Sequence, residues 1–289
     1  MDDKERAESK LPKIHEIPLS EIDEFPNHPF HVRLDEDMDQ LVESIKERGI
    51  ITPVTLRQKP DGRYEIVSGH RRTKACELAG LTTVKAEIKE LSRDEAIILM
   101  VESNLQRTTI LPSEKAFSYK MRLEAMKRQV GRPSKENASP VATNSPQGRS
   151  DVELGEQVGE SKDQVRRYIR LTNLIPPLLD LVDSGKIAFR PAVELSYLTE
   201  EEQNGLLDSI NSEQSTPSLA QALKMKEFSQ NGRLNADVIL SIMCEQKPNQ
   251  KEKISFQSER LKPFIPKNFT VKQTEDYVIK ALEYYHRYQ

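Results

Sequence analysis

Tyr64–Ser68 is a strand-like run that leads directly into Gly69-His70-Arg71-Arg72 and then into a helical pattern. A strand, a glycine and a helix start bring free backbone N–H groups and the positive end of the helix dipole to one point. Two arginines there add guanidinium forks that match phosphate oxygens, so the tetrapeptide is a candidate anion site. Adjacent arginines point in different directions, so one of the two is expected to face the ligand. On its own the tetrapeptide fits a solvated helix start equally well.

Glu102-Ser103-Asn104-Leu105-Gln106-Arg107 closes another helical pattern. Its carboxylate and amide oxygens, at Glu102 and Asn104, suit a hard cation such as Mg²⁺. Gln106 and Arg107 suit a phosphate or a base edge. His28-Pro29-Phe30-His31-Val32-Arg33 reads as a loop ahead of the first helix, with histidines at surface positions. No G-x-x-x-x-G-K-[ST], G-x-S-x-G or H-E-x-x-H motif occurs, which argues against P-loop, α/β-hydrolase and zincin chemistry. Cys76 and Cys244 are far apart and form no metal-ligand spacing, as suits a reducing cytosol.

A third constellation lies downstream. Ser150-x-x-Glu153 and Ser161-x-x-Gln164 read as two capping boxes, with Leu154, Val158 and Gly159 between them. Val165 and Ile169 follow four residues apart and face inward. A short helix, a turn containing glycine and a second capped helix make a helix-turn-helix over residues 150–171. Lys162, Gln164, Arg166, Arg167 and Arg170 lie on the outward face of the second helix. Arginine and glutamine suit base edges, and lysine and arginine neutralise phosphates. The start of such a helix enters the major groove, which favours Ser161, Lys162, Asp163 and Gln164 as readers. Any amphipathic helix pair with a basic face is the plainer alternative.

These residues need elements to hold them. The 289-residue chain suggests two or three domains, and 36% hydrophobic residues allow only modest cores. The net charge of −3 argues against a histone-like DNA coat but allows a local basic patch. No apolar run is long enough to span a bilayer, and Met1–Lys10 is too charged for a secretory signal. Residues 1–13 read as a disordered lead, and 14–130 as an α+β domain. Within that domain Asp35 caps a helix closed by Gly49, Val54–Arg57 and Tyr64–Ser68 form a hairpin, and Ser92-x-x-Glu95 caps a helix. Residues 131–149, rich in Pro, Ser, Asn and Gly, read as a linker. Residues 150–245 read as all-helical. Residues 254–289 read as a small α/β piece, with a strand at Ile254–Phe256 and a helix from Thr270 whose stripe Val278, Leu282 and Tyr285 suits dimerisation.

With these pieces in order, the chain from about Ile17 to Leu198 resembles the ParB family of partition proteins. The family's Q-P-R corresponds to His31-Val32-Arg33, and its G-E-R-R-x-x-A to Gly69-His70-Arg71-Arg72-Thr73-Lys74-Ala75. Its E-N-x-Q-R corresponds to Ser103-Asn104-Leu105-Gln106-Arg107. Leu111–Ala116 matches the segment that joins the two domains, and Leu154–Val165 the L-A-x-x-x-G-x-S-x-x-x-V pattern, with Gly155 in the alanine place. The resemblance implies a ParB/sulfiredoxin-like α+β domain followed by a helix-turn-helix domain. It implies CTP and Mg²⁺ as ligands, a palindromic double-stranded DNA site, a homodimeric clamp, a ParA-type partner ATPase and a cytoplasmic, nucleoid-associated role in chromosome, plasmid or mobile-element segregation. Carried over by position, Gly69, Arg71 and Arg72 hold the triphosphate, Asn104 the Mg²⁺, and Arg107 the nucleotide or the DNA side. Arg33, His70 and Gln106 fall in the same boxes. Ser103 and His70 replace two family glutamates, which favours nucleotide binding over efficient hydrolysis, with weak CTPase activity at most. The chain also departs from the pattern at Arg190-Pro191, after the reader helix. The alternatives are a helix-turn-helix transcription regulator with a degenerate nucleotide site, and a phosphotransferase on the same N-terminal scaffold.

Overall fold

The structure, a computed structural model, describes residues 13–107, 109–129, 146–245, 264–266 and 269–287. The chain divides into a unit that ends at Cys244 and a second that begins at Glu245. The first unit opens with a mixed five-stranded sheet. Its strands are β1 (Ile14–Pro18), β2 (Ile22–Asp23), β3 (Val54–Gln58), β4 (Tyr64–Ser68) and β5 (Thr83–Lys89), in the order β1-β5-β3-β4-β2. The β3–β4 hairpin is antiparallel, while β3 with β5 and β2 with β4 are parallel. The hairpin turns at Gly62 with φ 85°, the left-handed region that glycine enters without a Cβ penalty.

β4 has both faces covered. Ile66 joins a core with Met38, Val42 and Ile45 of helix α1 (Glu36–Arg48) and with Ala75 and Cys76 of α2 (His70–Leu78). Val67, one residue on, points to the other face and joins Ala96, Ile97, Met100 and Val101 of α3 (Arg93–Leu105). Glu65 is buried on that strand and is paired by Arg57 of β3 at 2.5 Å, since an unpaired buried carboxylate would be costly. Asp35 caps α1 by accepting from the Met38 N–H at 3.0 Å, and Gly49 closes it. The expected Ser92–Glu95 capping box opens α3.

Helix α4 (Pro112–Gln129) links the sheet region to the helical region. Ala116 packs in the helical core, Ala125 against α3, and Tyr119, Leu123 and Met126 against Leu154 and Val165. Then come α5 (Pro146–Val158), α6 (Lys162–Arg170), α7 (Pro176–Asp183), α8 (Phe189–Leu195), α9 (Glu200–Glu213), α10 (Leu219–Gln230) and α11 (Ala236–Cys244). α5 differs from the sequence reading. It begins at Pro146, one turn ahead of Ser150, so Ser150 and Glu153 are interior rather than a cap. Proline is well suited to a first helical turn, where its missing N–H has no intrahelical acceptor to lose. Residues 130–145, most of the expected linker, lie outside the described residues, and residues 146–149 belong to the helix. Arg190-Pro191 does not interrupt the helical run: both residues lie in the first turn of α8, where proline displaces no hydrogen bond.

In the second unit, α12 (Val271–Arg287) is capped by Thr270, whose N–H donates to Gln273 Oε1 at 2.9 Å. Leu282 and Ile279 are exposed and Val278 is half-buried. The expected strand at 254–256 lies outside the described residues.

Candidate nucleotide pocket and nucleic-acid interface

Gly69 sits at φ 104° between β4 and α2. A Cβ built there would lie 2.8 Å from Val54 Cγ1 and 3.1 Å from Arg72 Nη2, so the position admits only glycine without rearrangement. The first helical N–H to reach back is that of Thr73, to the Gly69 carbonyl at 2.9 Å. The N–H groups of His70, Arg71 and Arg72 precede it and have no intrahelical acceptor. The two arginines do diverge. Arg71 Nη2 reaches Asp35 at 3.2 Å, at the start of α1. Arg72 Nη1 donates to the carbonyls of Thr52 and Pro53, the latter at 2.7 Å, and ties α2 to the loop ahead of β3. Arg72 is thus a brace for the turn, and Arg71 the more open of the pair.

The loop ahead of α1 folds onto this turn. His28 stacks on His70 with ring centroids 3.7 Å apart and planes inclined by 30°, and meets Phe30 edge-on at 5.7 Å. The expectation of surface histidines fails for His28, because the stack takes it half out of water. Burial holds the His70 imidazole down to about 3, with the neighbouring His28 and the Arg107 charge adding to the shift. Burial likewise lowers His28 to about 4, partly opposed by its hydrogen bond to the Phe30 backbone. Both rings are therefore neutral at pH 7, and both Nε2 atoms are buried without a partner among the described residues. Arg107 lies over the Phe30 ring at 5.6 Å. The Glu114 carboxylate, at the start of α4, accepts the N–H groups of His31 at 2.9 Å and Leu111 at 3.1 Å. Beside the stack opens a cavity of about 430 Å³, lined in part by His28, His31, His70, Thr73 and Lys74. The 28–31 loop and His70 of the 69–72 turn thus meet at this cavity, and Arg107 packs on its Phe30.

The rest of the 102–107 cluster splits. The Asn104 amide nitrogen donates to the Met100 carbonyl at 2.8 Å, and the side chain is buried. Ser103 Oγ donates to the same carbonyl at 2.9 Å. Glu102 instead joins Arg122 of α4 at 2.5 Å, and Arg122 also reaches Gln157 of α5. Glu102 and Gln106 line a separate cavity against α4 and α5. Among the described residues no group of three His, Cys, Asp or Glu side chains has a metal-binding arrangement. Arg33 is exposed. The sequence singles out the 28–33 and 111–116 segments but not the contacts of His28, Phe30 and Glu114, since nothing in their local spacing signals a partner some 40 or more residues away.

The helix-turn-helix is tightly closed. Gly159 turns with φ 69°, and the Glu160 N–H reaches the Gly155 carbonyl at 2.9 Å, a Schellman-type stop. A Cβ at Gly155 would lie 2.7 Å from the Glu160 carbonyl oxygen, so this turn packs closer than alanine permits. Ser161 caps α6 by accepting from the Gln164 N–H at 3.2 Å. Val165 is buried, and Tyr168 meets Tyr119 edge-on and Phe189 at a tilt. Lys115 of α4 pairs with Glu160 in the turn at 2.9 Å. The outward residues fall into two groups. Ser161, Asp163 and Arg167 are exposed, and Lys162 and Gln164 are half-exposed. Arg166 is held by the buried Asp151 of α5 at 2.8 Å. Arg170 donates to the Ser196 carbonyl at 3.1 Å and lies 3.9 Å from the centroid of the Tyr197 ring.

An α+β domain whose glycine turn opens a helix, joined to a helix-turn-helix, is the class of fold that these elements define. Two family models match the chain: the ParB N-terminal domain over residues 3–105 and the ParB HTH domain over residues 145–226. The chain is 31% identical over 200 residues to the chromosome-partitioning protein Spo0J of Thermus thermophilus, covering 68% of this chain and 66% of the relative. It is 28% identical over 201 residues to the nucleoid occlusion protein of Halalkalibacterium halodurans, covering 69% and 62%. The chain belongs to the ParB family. It spans a little under two thirds of the length of these relatives. Among solved structures it is similar to the C-terminally truncated ParB of Caulobacter crescentus complexed to the centromeric parS site, with 22% identity, coverage of 74% of this chain and 98% of that one, and a TM-score of 0.42. The same protein complexed with CTP-γ-S matches at 26% identity, covering 69% and 99%, with a TM-score of 0.31. Among the described residues no helix is long and apolar enough to cross a membrane.

Proposed function

We propose that this chain is a DNA-binding partition protein that reads a palindromic duplex through α6 and takes CTP with Mg²⁺ in its N-terminal domain. The observation that carries the DNA reading is the start of α6. Ser161, Lys162, Asp163 and Gln164 stand on a rigid, capped turn with Arg167 exposed behind them. Short polar and amide side chains there suit base edges, and Lys162 and Arg167 suit flanking phosphates. A palindrome calls for two copies of the reader, hence a homodimer, and the exposed Ile279 and Leu282 of α12 suit a contact between copies. A ParA-type ATPase is the partner expected of such a protein.

The 69–72 turn and Arg107, next to His70 and Phe30 of the cavity wall, fit a nucleoside triphosphate. The free N–H groups of residues 70–72 at the Gly69 turn suit phosphate oxygens, and the Arg71 guanidinium, paired with Asp35, would exchange that partner for one. Arg107 adds a second positive charge beside the same cavity. For Mg²⁺, Asn104 would be the protein ligand, since its amide nitrogen is already used and its oxygen remains the acceptor. Glu102 is taken by Arg122, so phosphates and water would complete the shell. Bound there, the metal would neutralise charge on the triphosphate. Ser103 stands in place of a carboxylate, and burial makes the His70 imidazole, at about 3, too weak a base for proton abstraction, which favours binding over turnover.

The test is recovery and sequencing of genomic DNA fragments bound by the full chain, with and without CTP. One enriched palindrome is expected, with flanking DNA recovered as well when CTP is present. Uniform recovery of all sequences would refute the DNA reading, and a profile unchanged by CTP would refute the nucleotide reading.

A further inference from the structure

Arg170 lies on the outward face of α6, yet its guanidinium is directed back into the protein. We infer that Tyr197 is the positioning residue of the DNA-reading helix, holding α6 through a cation–π contact with Arg170. This rests on the reading of α6 as the DNA-facing helix.

The contact is built from three helices. Tyr197 follows α8, and its ring is approached by Arg170 Cζ at 3.9 Å and by Lys226 Nζ of α10 at 3.7 Å. Both distances lie well inside the range at which a ring quadrupole attracts a cation. The turn that carries the ring is itself fixed. Ser196 Oγ donates to the Val193 carbonyl at 2.6 Å, the Tyr197 N–H to the Glu194 carbonyl at 3.2 Å, and Lys226 pairs with Glu194 at 2.6 Å. Arg170 adds its hydrogen bond to the Ser196 carbonyl, and its Nε is buried with no partner among the described residues. A guanidinium so placed is unavailable to a phosphate.

The helix needs such a hold. α6 has nine residues, too few to be stable alone. Arg166 and Arg170 are one turn apart; Arg166, still exposed, pairs with Asp151 of α5, and Arg170 turns in to the Tyr197 turn. Of the three arginines on this helix, only Arg167 has no ion pair or ring contact to a described residue, which leaves its charge uncompensated and suited to a phosphate.

The experiment compares full-length wild type with Tyr197→Phe, Tyr197→Leu, Arg170→Ala and Arg167→Ala. It measures affinity for the enriched palindrome against salt, and hydrogen exchange of the α6 amides without DNA. Tyr197→Phe keeps the ring and should bind like wild type. Tyr197→Leu keeps apolar bulk but loses the quadrupole. Tyr197 is part-exposed, so this variant should bind about two- to fivefold more weakly, with an unchanged salt slope and exchange in α6 faster by a similar factor. Arg170→Ala should match it. Arg167→Ala should lower the slope by about 0.9. Wild-type behaviour of Tyr197→Leu, or a slope for Arg170→Ala that falls as it does for Arg167→Ala, would overturn the inference. If wild type does not distinguish the palindrome from a scrambled duplex, the DNA reading fails, and the exchange data still decide whether Tyr197 holds the helix.

Discussion

Acid should open the N-terminal domain well above the pH at which carboxylates protonate, because the His28–His70 stack must stay neutral to stay buried. Folded, the two imidazoles titrate at about 4 and about 3. Unfolded, each returns to about 6.5. Between these values the unfolded state binds protons that the folded state does not, so stability falls as pH falls. The contribution is intact above about pH 6.5 and is drained progressively toward the folded values. At pH 5 each unfolded histidine gains about 2 kcal/mol from protonation, so the pair should cost about 4 kcal/mol relative to pH 7. That is a large share of a typical stability of about 5–15 kcal/mol. Cys76 offers a local probe, since it is buried on α2 within two turns of His70, while the exposed Cys244 supplies an internal reference for intrinsic thiol reactivity. Labelling with a disulfide reagent active in acid should show Cys76 opening roughly thousandfold more often at pH 5 than at pH 7, relative to Cys244. The His28→Gln/His70→Gln double variant should lose most of that pH dependence. An equal drop in wild type and double variant would refute the reasoning.

Three further substitutions test the packing. Gly69→Ala would place a Cβ 2.8 Å from Val54 in a left-handed backbone, and should cost about 2 kcal/mol or more in urea unfolding. A loss below about 0.5 kcal/mol would mean that the turn relaxes freely. Gly155→Ala would drive a methyl into the Glu160 carbonyl, and should lower the melting temperature and weaken DNA binding together. Unchanged binding would show that the turn does not set the reader's placement. Arg122→Met removes the buried bridge to Glu102 and Gln157, and should cost about 1–3 kcal/mol. A gain in stability by calorimetry would show that desolvation of the guanidinium outweighs its pairing.

What was legible in the sequence was whatever the chain specifies over a few residues. The Asp35 cap, the Gly62 hairpin, the Ser92–Glu95 box and the Gly159 stop each depend on side chain and backbone within one turn, and each is present. The start of α5 was misplaced because Ser150-x-x-Glu153 satisfies a capping pattern equally well inside a helix, and Pro146 supplied a better first turn. The site was legible as segments and not as an arrangement. The 69–72 turn and the 102–107 cluster stood out by composition, but His28 on His70 is a contact across 42 positions. The outward face of α6 showed the same limit. Helical spacing aligns Arg166, Arg167 and Arg170 alike, whereas Asp151 and Tyr197, which claim two of them, come from other helices.

Helix α4 supplies side chains to three separate apolar clusters: Ala116 to one, Ala125 to a second, and Tyr119, Leu123 and Met126 to a third. Such a helix makes its neighbours share a fate. The sheet region cannot melt away from α4 without stripping the wall against which the helix-turn-helix is packed, and the converse also holds. The boundary that the family models draw between two domains is therefore not where the molecule should come apart. Heating should yield one cooperative transition up to Cys244 rather than two, and a cut on either side of α4 should leave a fragment with a bared core and no independent fold.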